Sequence, residues 1–185
     1  MSARSPRVAI CPGTYDPVTY GHLDVVERAS GLFDEIVVSV TDGSFKKRPM
    51  FSTAERIDFV RAGVAHLGNV RVEPFNTLVT EHARAMGACA VVKGLRAISD
   101  FDYEFQMAQI NKHLASEIET VYLPASPRYS FISSSGVREV AAWGGEVDAW
   151  VPPHVADALR RRMGDTAQSP VRPWPDPVPH GGKSD

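Results

Sequence analysis

Short apolar runs rich in β-branched residues recur along this 185-residue chain, and stretches with helical spacing separate them. The runs span residues 7 to 11, 35 to 40, 70 to 75, 88 to 94 and 119 to 124. Strands that alternate with helices form right-handed βαβ units, which build a parallel sheet covered by helices on both faces. The sequence therefore predicts an α/β fold, a Rossmann-like doubly wound five-stranded parallel sheet with C-terminal helices.

The helices are predicted from apolar residues spaced three and four positions apart. One covers residues 23 to 33, and a second begins at "STAE", where Ser52 and Glu55 have the spacing of a capping box. Others cover about 78 to 86, 99 to 115, 134 to 142 and 153 to 163. Proline dominates from residue 164 onward. We predict one domain over residues 1–163 and a proline-rich flexible tail over residues 164–185.

The charge balance argues against a polyanionic partner. Twenty basic residues face 22 acidic ones, a formal charge of −2, so no global attraction to nucleic acid or to a membrane is expected. The chain has no apolar run long enough to span a bilayer and no secretory signal, which favours a soluble cytoplasmic protein. Cys11 and Cys89 lack metal-ligand spacing and are both predicted to be buried in the core.

In an open parallel sheet, ligands bind beyond the carboxyl ends of the strands. The first such connection reads "CPGTYDPVTYGH", and it places Gly21 and His22 at the start of a helix, where free N–H groups favour an anion. A lone histidine at such a place also fits a residue that only caps or packs. That alternative stays open at this point.

Two further connections carry groups suited to phosphate. "KGLRAISDFDYE" offers Lys93 and Arg96, although a surface salt bridge would also explain the arginine. "PRYSFISSSGVRE" places three serines before Gly136 and a helix that bears Arg138, although such serines are often only N-caps. All three connections fall on one edge of the predicted sheet.

A basic cluster follows the second strand, and several catalytic motifs are absent from the sequence. Lys46, Lys47 and Arg48 fit a solvated loop, or a loop that reaches a second anionic substrate. The sequence contains no GxxxxGK[ST], GxGxxG, GxSxG or HExxH motif. A site rich in cations without a clear base suits a nucleophile that is already an anion, such as a phosphate.

These motifs resemble those of a known family. "PGTYDPVTYGH" and "ISSSGVR" resemble the TxGH and ISSS signatures of nucleotidyltransferases. "MFSTAERIDFV", "LGNVRVEPF" and "VVKGLRAISDFDYEFQMAQINKHL" make the chain similar to the bacterial phosphopantetheine adenylyltransferase family from about residue 7 to 162. The resemblance implies a nucleotidyltransferase of coenzyme A biosynthesis that transfers AMP from ATP to 4′-phosphopantetheine by direct in-line attack, giving dephospho-CoA and pyrophosphate.

The resemblance also implies site residues. Those implied to contact ATP are Thr14, Tyr15, His22, Gly94, Leu95, Arg96, Glu104, Tyr129, Ser130, Phe131, Ile132, Ser133, Ser134 and Ser135. Those implied to contact the acceptor are Thr14, Lys46 or Lys47, Val79 and Lys93. The loop that holds Lys46 and Lys47 is one residue longer than usual, so both stay open for the acceptor phosphate. The resemblance assigns catalysis to His22, Lys47 and Arg96.

Mg²⁺ bound to ATP is the implied cofactor, held mostly by water, and no residue is predicted as a metal ligand. The resemblance also implies a homohexamer and feedback binding of coenzyme A. The spacing of Phe101, Phe105, Met107 and Ile110 favours a core-facing helix, with an interface as the alternative. Two other functions stay open: a nucleotidyltransferase acting on nicotinate mononucleotide or glycerol phosphate, and a non-catalytic nucleotide-binding module.

Overall fold

The computed structural model describes residues 5–42, 49–96 and 98–164. Its strands are β1 (Val8–Gly13), β2 (Glu35–Thr41), β3 (Val70–Phe75), β4 (Ala88–Leu95) and β5 (Glu119–Pro124). Its helices are α1 (Tyr20–Ser30), α2 (Thr53–Val64), α3 (Val79–Ala85), α4 (Ile98–Leu114), α5 (Ser134–Ala142) and α6 (Pro153–Gly164). The predicted tail lies outside the described residues, except that Gly164 ends α6.

The sheet has the order β3-β2-β1-β4-β5, and all of its strand pairs are parallel. The chain winds from β1 through β2 to β3 on one side, and then returns to place β4 and β5 on the other. This confirms the predicted Rossmann-like α/β fold. The order reverses between β1 and β4, which is where such a sheet opens a crevice for ligands.

Alternate residues of the central strands pack against helices on opposite faces of the sheet. Ala9 and Val38 belong to the larger apolar cluster, whereas Ile10, Val37 and Val91 belong to the smaller one. All five are 3 % exposed or less, so the central strands are covered on both faces. This explains why they read as continuous apolar runs.

The capping boxes show why two helices begin where they do. Ser52 and Glu55 form the predicted box at α2, with the Ser52 N–H donating to the Glu55 carboxylate at 2.8 Å. At α1 the same arrangement joins Thr19 to His22, so a histidine takes the place usually held by glutamate.

Among the described residues, no helix is both long and apolar enough to cross a membrane.

The prediction for Cys89 is wrong. Cys11 is buried, but Cys89 is exposed. The register between β1 and β4 shifts between Val8 and Ala9, so Cys89 falls between the paired positions of β4 and its thiol reaches the Val8 carbonyl at 3.3 Å. The strand is apolar by composition, and the irregular pairing turns this residue outward.

The core-facing reading of α4 is also wrong for most of its apolar residues. Phe101, Phe105 and Ile110 are between 40 and 48 % exposed, and only Met107 is partly buried. The helix therefore presents an apolar face to solvent in the single chain.

Candidate active site

The first cleft opens at the carboxyl ends of β1 and β4, where the strand order reverses, and has a volume of about 510 Å³. Its walls come from the β1–α1 loop, the start of α1, the end of β4, the first turns of α4 and the start of α5. The N-termini of α1 and α5 both reach this cleft. Helix N-termini present unpaired N–H groups and a partial positive charge, so the cleft suits an anion.

His22 lies in the first turn of α1 and lines this cleft. Its Nδ1 accepts the Thr19 N–H at 3.0 Å, so the neutral ring carries its proton on Nε2. The edge of the His22 ring meets the Tyr15 ring at a centroid distance of 5.1 Å, which limits its rotation. The capping interpretation is therefore correct for one nitrogen, and the other remains a donor at the cleft.

Burial lowers the pKa of His22 to about 4, with a smaller contribution from the Arg96 charge. At neutral pH the ring is therefore uncharged and acts as a hydrogen-bond donor rather than a cation. It also has no unprotonated nitrogen to accept a substrate proton, because Nδ1 is already used.

A pH titration should show this directly. The unfolded chain protonates His22 near its ordinary pKa of 6.5, so it binds more protons than the folded chain between pH 6.5 and about 4. The free energy of unfolding should then fall as pH drops through that window, by on the order of 3 kcal/mol from this group. Nitrogen-detected NMR of the ligand-free protein reads the ring directly, and a His22 titration near pH 6.5 would contradict this account.

The three serines at the start of α5 make different contacts. Ser133 is the N-cap, with its Oγ accepting the Gly136 N–H at 3.0 Å, and Ser134 Oγ donates to the Pro17 carbonyl at 2.8 Å. Ser135 is exposed and lines the cleft. Two of the hydroxyls thus fix the helix start in place, and its leading N–H groups face the cleft.

Two cations of the cleft are paired with carboxylates from α4. Lys93 Nζ lies 3.2 Å from Glu104 Oε2, and Arg96 holds Asp100 through two bonds of 2.9 and 3.1 Å. The Arg96 Nη1 also donates to the Ile132 carbonyl at 3.3 Å, which links β4 to the loop before α5. An incoming phosphate would have to replace these carboxylates, and bidentate phosphate is a good substitute for bidentate carboxylate.

Glycines allow close packing at the strand ends. A Cβ on Gly13 would lie 2.9 Å from the Tyr15 ring, and one on Gly94 would lie 2.9 Å from Val25 of α1. Tyr15 itself has a φ of 51°, which is uncommon for a residue with a side chain. Its hydroxyl donates to the Cys11 carbonyl at 2.8 Å and so holds this turn closed.

The cysteine among the described residues of this cleft is not an activated nucleophile. Cys11 lines it, but burial raises the pKa of that thiol to about 12, with only a small opposing effect of Lys93. A thiol that stays protonated at neutral pH is a poor nucleophile.

No cluster of three or more His, Cys, Asp or Glu side chains able to hold a metal occurs within residues 5–42, 49–96 and 98–164.

A second cleft of about 580 Å³ adjoins the first. Thr14 and Asp42 lie on its polar rim, and Phe75, Leu78 and Val79 belong to its apolar lining. Both clefts share Pro12, Gly13, Lys93 and Tyr103. The two spaces therefore meet at a lysine, and the second is suited to a long ligand with an apolar portion and an anionic end.

Most of the sequence-predicted site residues are brought together here. The first cleft is lined by Tyr15, His22, Lys93, Gly94, Arg96, Glu104, Tyr129, Ile132, Ser133, Ser134 and Ser135, and the second by Thr14, Val79 and Lys93. Leu95, Ser130 and Phe131 do not line either of these clefts in the described chain. Lys46 and Lys47 lie outside the described residues, so their assignment stays a prediction.

Arg138, on the helix that follows the three serines, supports a loop. Its guanidinium pairs with Asp16, contacting both the backbone carbonyl and the carboxylate. Asp16 is 6 % exposed and also accepts the N–H groups of Met50 and Phe51, each at 2.9 Å. Arg138 therefore contributes to holding the β1–α1 loop in place.

Sequence reasoning missed Asp16, Arg56, Asp100 and Tyr103. The signal for Arg56 was present: it shares a helical face with the buried Val60 and Val64, where a charge is unexpected. Asp100 lies near the start of the helix predicted over about 99 to 115, and it pairs with Arg96 four residues before it.

Comparison with known proteins places this geometry in a family. Residues 10–140 match the model of the cytidylyltransferase-like family. A phosphopantetheine adenylyltransferase of Herpetosiphon aurantiacus is 52 % identical over 154 residues, covering 83 % of this chain and 93 % of that protein. One of Streptomyces coelicolor is 52 % identical over 157 residues, covering 85 % and 98 %.

A solved structure agrees with the fold. The Plasmodium falciparum nicotinic acid mononucleotide adenylyltransferase, complexed with NaAD, superposes with a TM-score of 0.63 at 14 % identity. The match covers 84 % of this chain and 95 % of that one. At this identity the likeness concerns the fold alone.

Proposed function

The chain belongs to the cytidylyltransferase-like family and, within it, to the phosphopantetheine adenylyltransferases, and from that membership we propose how its two clefts divide the two substrates. The first cleft binds ATP, and the second binds 4′-phosphopantetheine. The observation that carries this assignment is that Lys93 lines both clefts. The two reacting phosphates must meet at one place, and Lys93 supplies a cation where the two clefts join.

The proposed reaction is a direct displacement at the α-phosphorus of ATP. A phosphate oxygen of phosphopantetheine forms a bond to that phosphorus, the bond to the β-phosphate oxygen breaks, and pyrophosphate leaves. The nucleophile is already an anion, so no protein base has to remove a proton. Holding two such reactants in line supplies about 7–11 kcal/mol in favourable cases.

Three kinds of donor stabilise the charge that moves toward the pyrophosphate. His22 Nε2 donates a hydrogen bond while the ring stays neutral, because burial keeps its pKa near 4. The N–H groups at the starts of α1 and α5 add a partial positive charge. Lys93 and Arg96 exchange their α4 carboxylates for phosphate oxygens.

Mg²⁺ is the proposed cofactor, and the residues present fit an ion held mainly by ATP and water. Asp100 and Glu104 are the carboxylates of the first cleft, and each is engaged by a cation. Mg²⁺ commonly keeps several waters and binds through substrate phosphates. When bound it would neutralise phosphate charge, and activity that survives complete chelation would contradict its need.

The experiment that tests the assignment is a pyrophosphate-release assay with alternative acceptors. We expect release with ATP and 4′-phosphopantetheine together, and none with either alone. Nicotinate mononucleotide and glycerol phosphate serve as controls, because neither has an apolar arm for the second cleft. Equal rates with these acceptors would refute the assignment of that cleft.

Coenzyme A is proposed as a feedback ligand. Coenzyme A carries both a pantetheine arm and an adenosine, so it would compete with both substrates. Inhibition by coenzyme A that leaves both KM values unchanged would place its binding site elsewhere.

The cytoplasm is proposed as the place of action, because the two free cysteines fit a reducing compartment.

A homohexamer is also proposed from the family, and the exposed face of α4 supports an interface between copies of this chain. Phe101 and Phe105 stack at a centroid distance of 5.4 Å, and Leu114 is 46 % exposed on the same helix. Large exposed apolar patches mark interaction surfaces. Phe105→Asp is therefore expected to dissociate the assembly in analytical ultracentrifugation, whereas Leu32→Asp, at an exposed apolar residue outside α4, should leave the mass unchanged. A wild-type chain that sediments as a monomer would refute the proposal.

A further inference from the structure

Arg56 is a charged residue at the centre of the packed structure. It lies in α2 and is 1 % exposed, although arginine is almost never fully buried without partners. Its Nε donates to the Phe51 carbonyl at 3.1 Å, and its Nη2 donates to Thr53 Oγ1 at 2.9 Å. Its Nη1 donates to the carbonyls of Thr14 at 2.6 Å and Thr41 at 3.0 Å.

These four acceptors belong to three separate segments of the chain. Thr14 directly follows β1, Thr41 ends β2, and Phe51 and Thr53 lie at the start of α2. One planar guanidinium therefore ties together the carboxyl ends of two neighbouring strands and the beginning of a helix. Arginine is suited to this because its five N–H donors are fixed in one fork.

Burying this charge is costly, and the surroundings offset the cost only in part. Burial lowers the pKa of Arg56, while the carboxylates of Asp16 and Asp42 oppose that change. A well-packed apolar side chain of similar volume is often as stabilising as a buried ion pair. Folding stability alone therefore does not explain an arginine at this position. The geometry that its hydrogen bonds impose on the three segments does explain it.

The geometry it imposes concerns the acceptor cleft. The Thr14 side chain is exposed on the rim of the second cleft, while its carbonyl is held from inside by Arg56. Thr41 and Asp42 lie on the same rim, and Thr53 Oγ1 donates to Asp42 at 2.7 Å. Among the described residues, this guanidinium makes no hydrogen bond to the end of β4 or to the loop before α5.

We propose that Arg56 is a positioning residue for the acceptor, which sets the Thr14 hydroxyl and the polar rim of the second cleft through the carbonyls of Thr14 and Thr41. The proposal rests on the assignment of that cleft to phosphopantetheine. Arg56 touches neither substrate itself. It acts by keeping the acceptor phosphate in line with the α-phosphorus.

The test replaces the planar guanidinium of Arg56 by an ammonium and so keeps the positive charge. A lysine ammonium cannot reach acceptors on three segments at once, so Arg56→Lys should raise the KM for phosphopantetheine at least about tenfold and lower kcat roughly 10–100-fold, since small misplacements of reactants are that costly. The KM for ATP should change less than about threefold. Rates are normalised to the folded fraction, measured by urea denaturation.

Arg61→Lys is the matched control, because Arg61 lies on the same helix and its side chain is 58 % exposed. It should behave as wild type. If Arg56→Lys does not fold, Thr53→Val decides, since it removes one acceptor of the fork and keeps the shape. It should raise the phosphopantetheine KM roughly three- to tenfold, again without a matching change for ATP.

Wild-type kinetics in the folded Arg56→Lys variant, or equal rises in both KM values, would overturn the proposal. Wild-type kinetics in Thr53→Val would overturn it where the lysine variant fails to fold. A wild-type enzyme that does not use phosphopantetheine at all would instead refute the assignment of the cleft, so the two failures are distinguishable.

Discussion

Replacement of His22 by alanine is expected to lower kcat by about 10²–10³, the loss typical of removing one hydrogen-bond donor to charge that develops in a transition state. The ring is neutral, so the variant removes a donor and no net charge. It also removes the bond from the Thr19 N–H to Nδ1, an N-terminal cap whose loss costs about 1 kcal/mol of folding stability. Steady-state pyrophosphate release and urea denaturation measure the two effects separately.

His22→Gln separates catalysis from capping. Glutamine is a normal partner in a capping box, so this variant should keep the stability of α1. It has no imidazole Nε2–H to meet the ATP phosphates, so its kcat should still fall at least about tenfold. Full activity in the glutamine variant would show that His22 acts through the cap alone, and full activity in the alanine variant would show that it does not act at all.

Lys93→Ala is the second change with a large expected effect. Lys93 lines both clefts, so its loss should weaken binding of both substrates and lower kcat/KM by about 10²–10³. The variant also leaves the Glu104 carboxylate, which is 20 % exposed, without the ammonium 3.2 Å away. That charge would then repel the phosphates, so adding Glu104→Gln should recover part of the loss.

Two controls make the Lys93 result specific. Lys93→Arg keeps the charge and adds a fork suited to phosphate, so it should remain active. Lys112→Ala removes a lysine near the C-terminal end of α4, whose side chain is 43 % exposed and pairs with Glu119 of β5, and it should leave the kinetics unchanged. If Lys93→Ala raises the KM for ATP and leaves the KM for phosphopantetheine unchanged, the acceptor phosphate binds away from the junction.

The fold was predictable because its central strands are covered on both faces. Val37 and Val38 are both 0 % exposed on opposite faces of β2, and such strands have to be apolar at most positions. The start of α2 was predictable because Ser52 and Glu55 form a local pair. These features depend on residues near one another in sequence, which sequence patterns record well.

Most of the features that sequence reasoning missed depend on contacts between distant segments, the local pair of Arg96 and Asp100 being the exception. Arg56 contacts Thr14 across 42 positions, and Arg138 contacts Asp16 across 122. Cys89 is exposed because of a register shift against another strand, and three apolar residues of α4 are exposed in the single chain although their spacing favours burial. Which charged side chain faces the ligand and which supports a loop is decided by such contacts.

The geometry also shows how the cap at α1 supports the role proposed for His22. His22 Nδ1 accepts the Thr19 N–H, which fixes the ring and its tautomer, and the same bond leaves Nε2 as the donor at the cleft. The proposed contact with phosphate would use that Nε2–H, so capping and phosphate binding are compatible in one residue.

The stereochemical course at the α-phosphorus tests the central claim most directly, namely that phosphopantetheine attacks ATP without a covalent enzyme intermediate. The measurement uses one diastereomer of ATPαS with 4′-phosphopantetheine and determines the configuration of the thiophosphoryl product. A single in-line displacement between the two clefts predicts inversion at phosphorus. Retention would require two displacements through an adenylylated side chain, and would contradict this account.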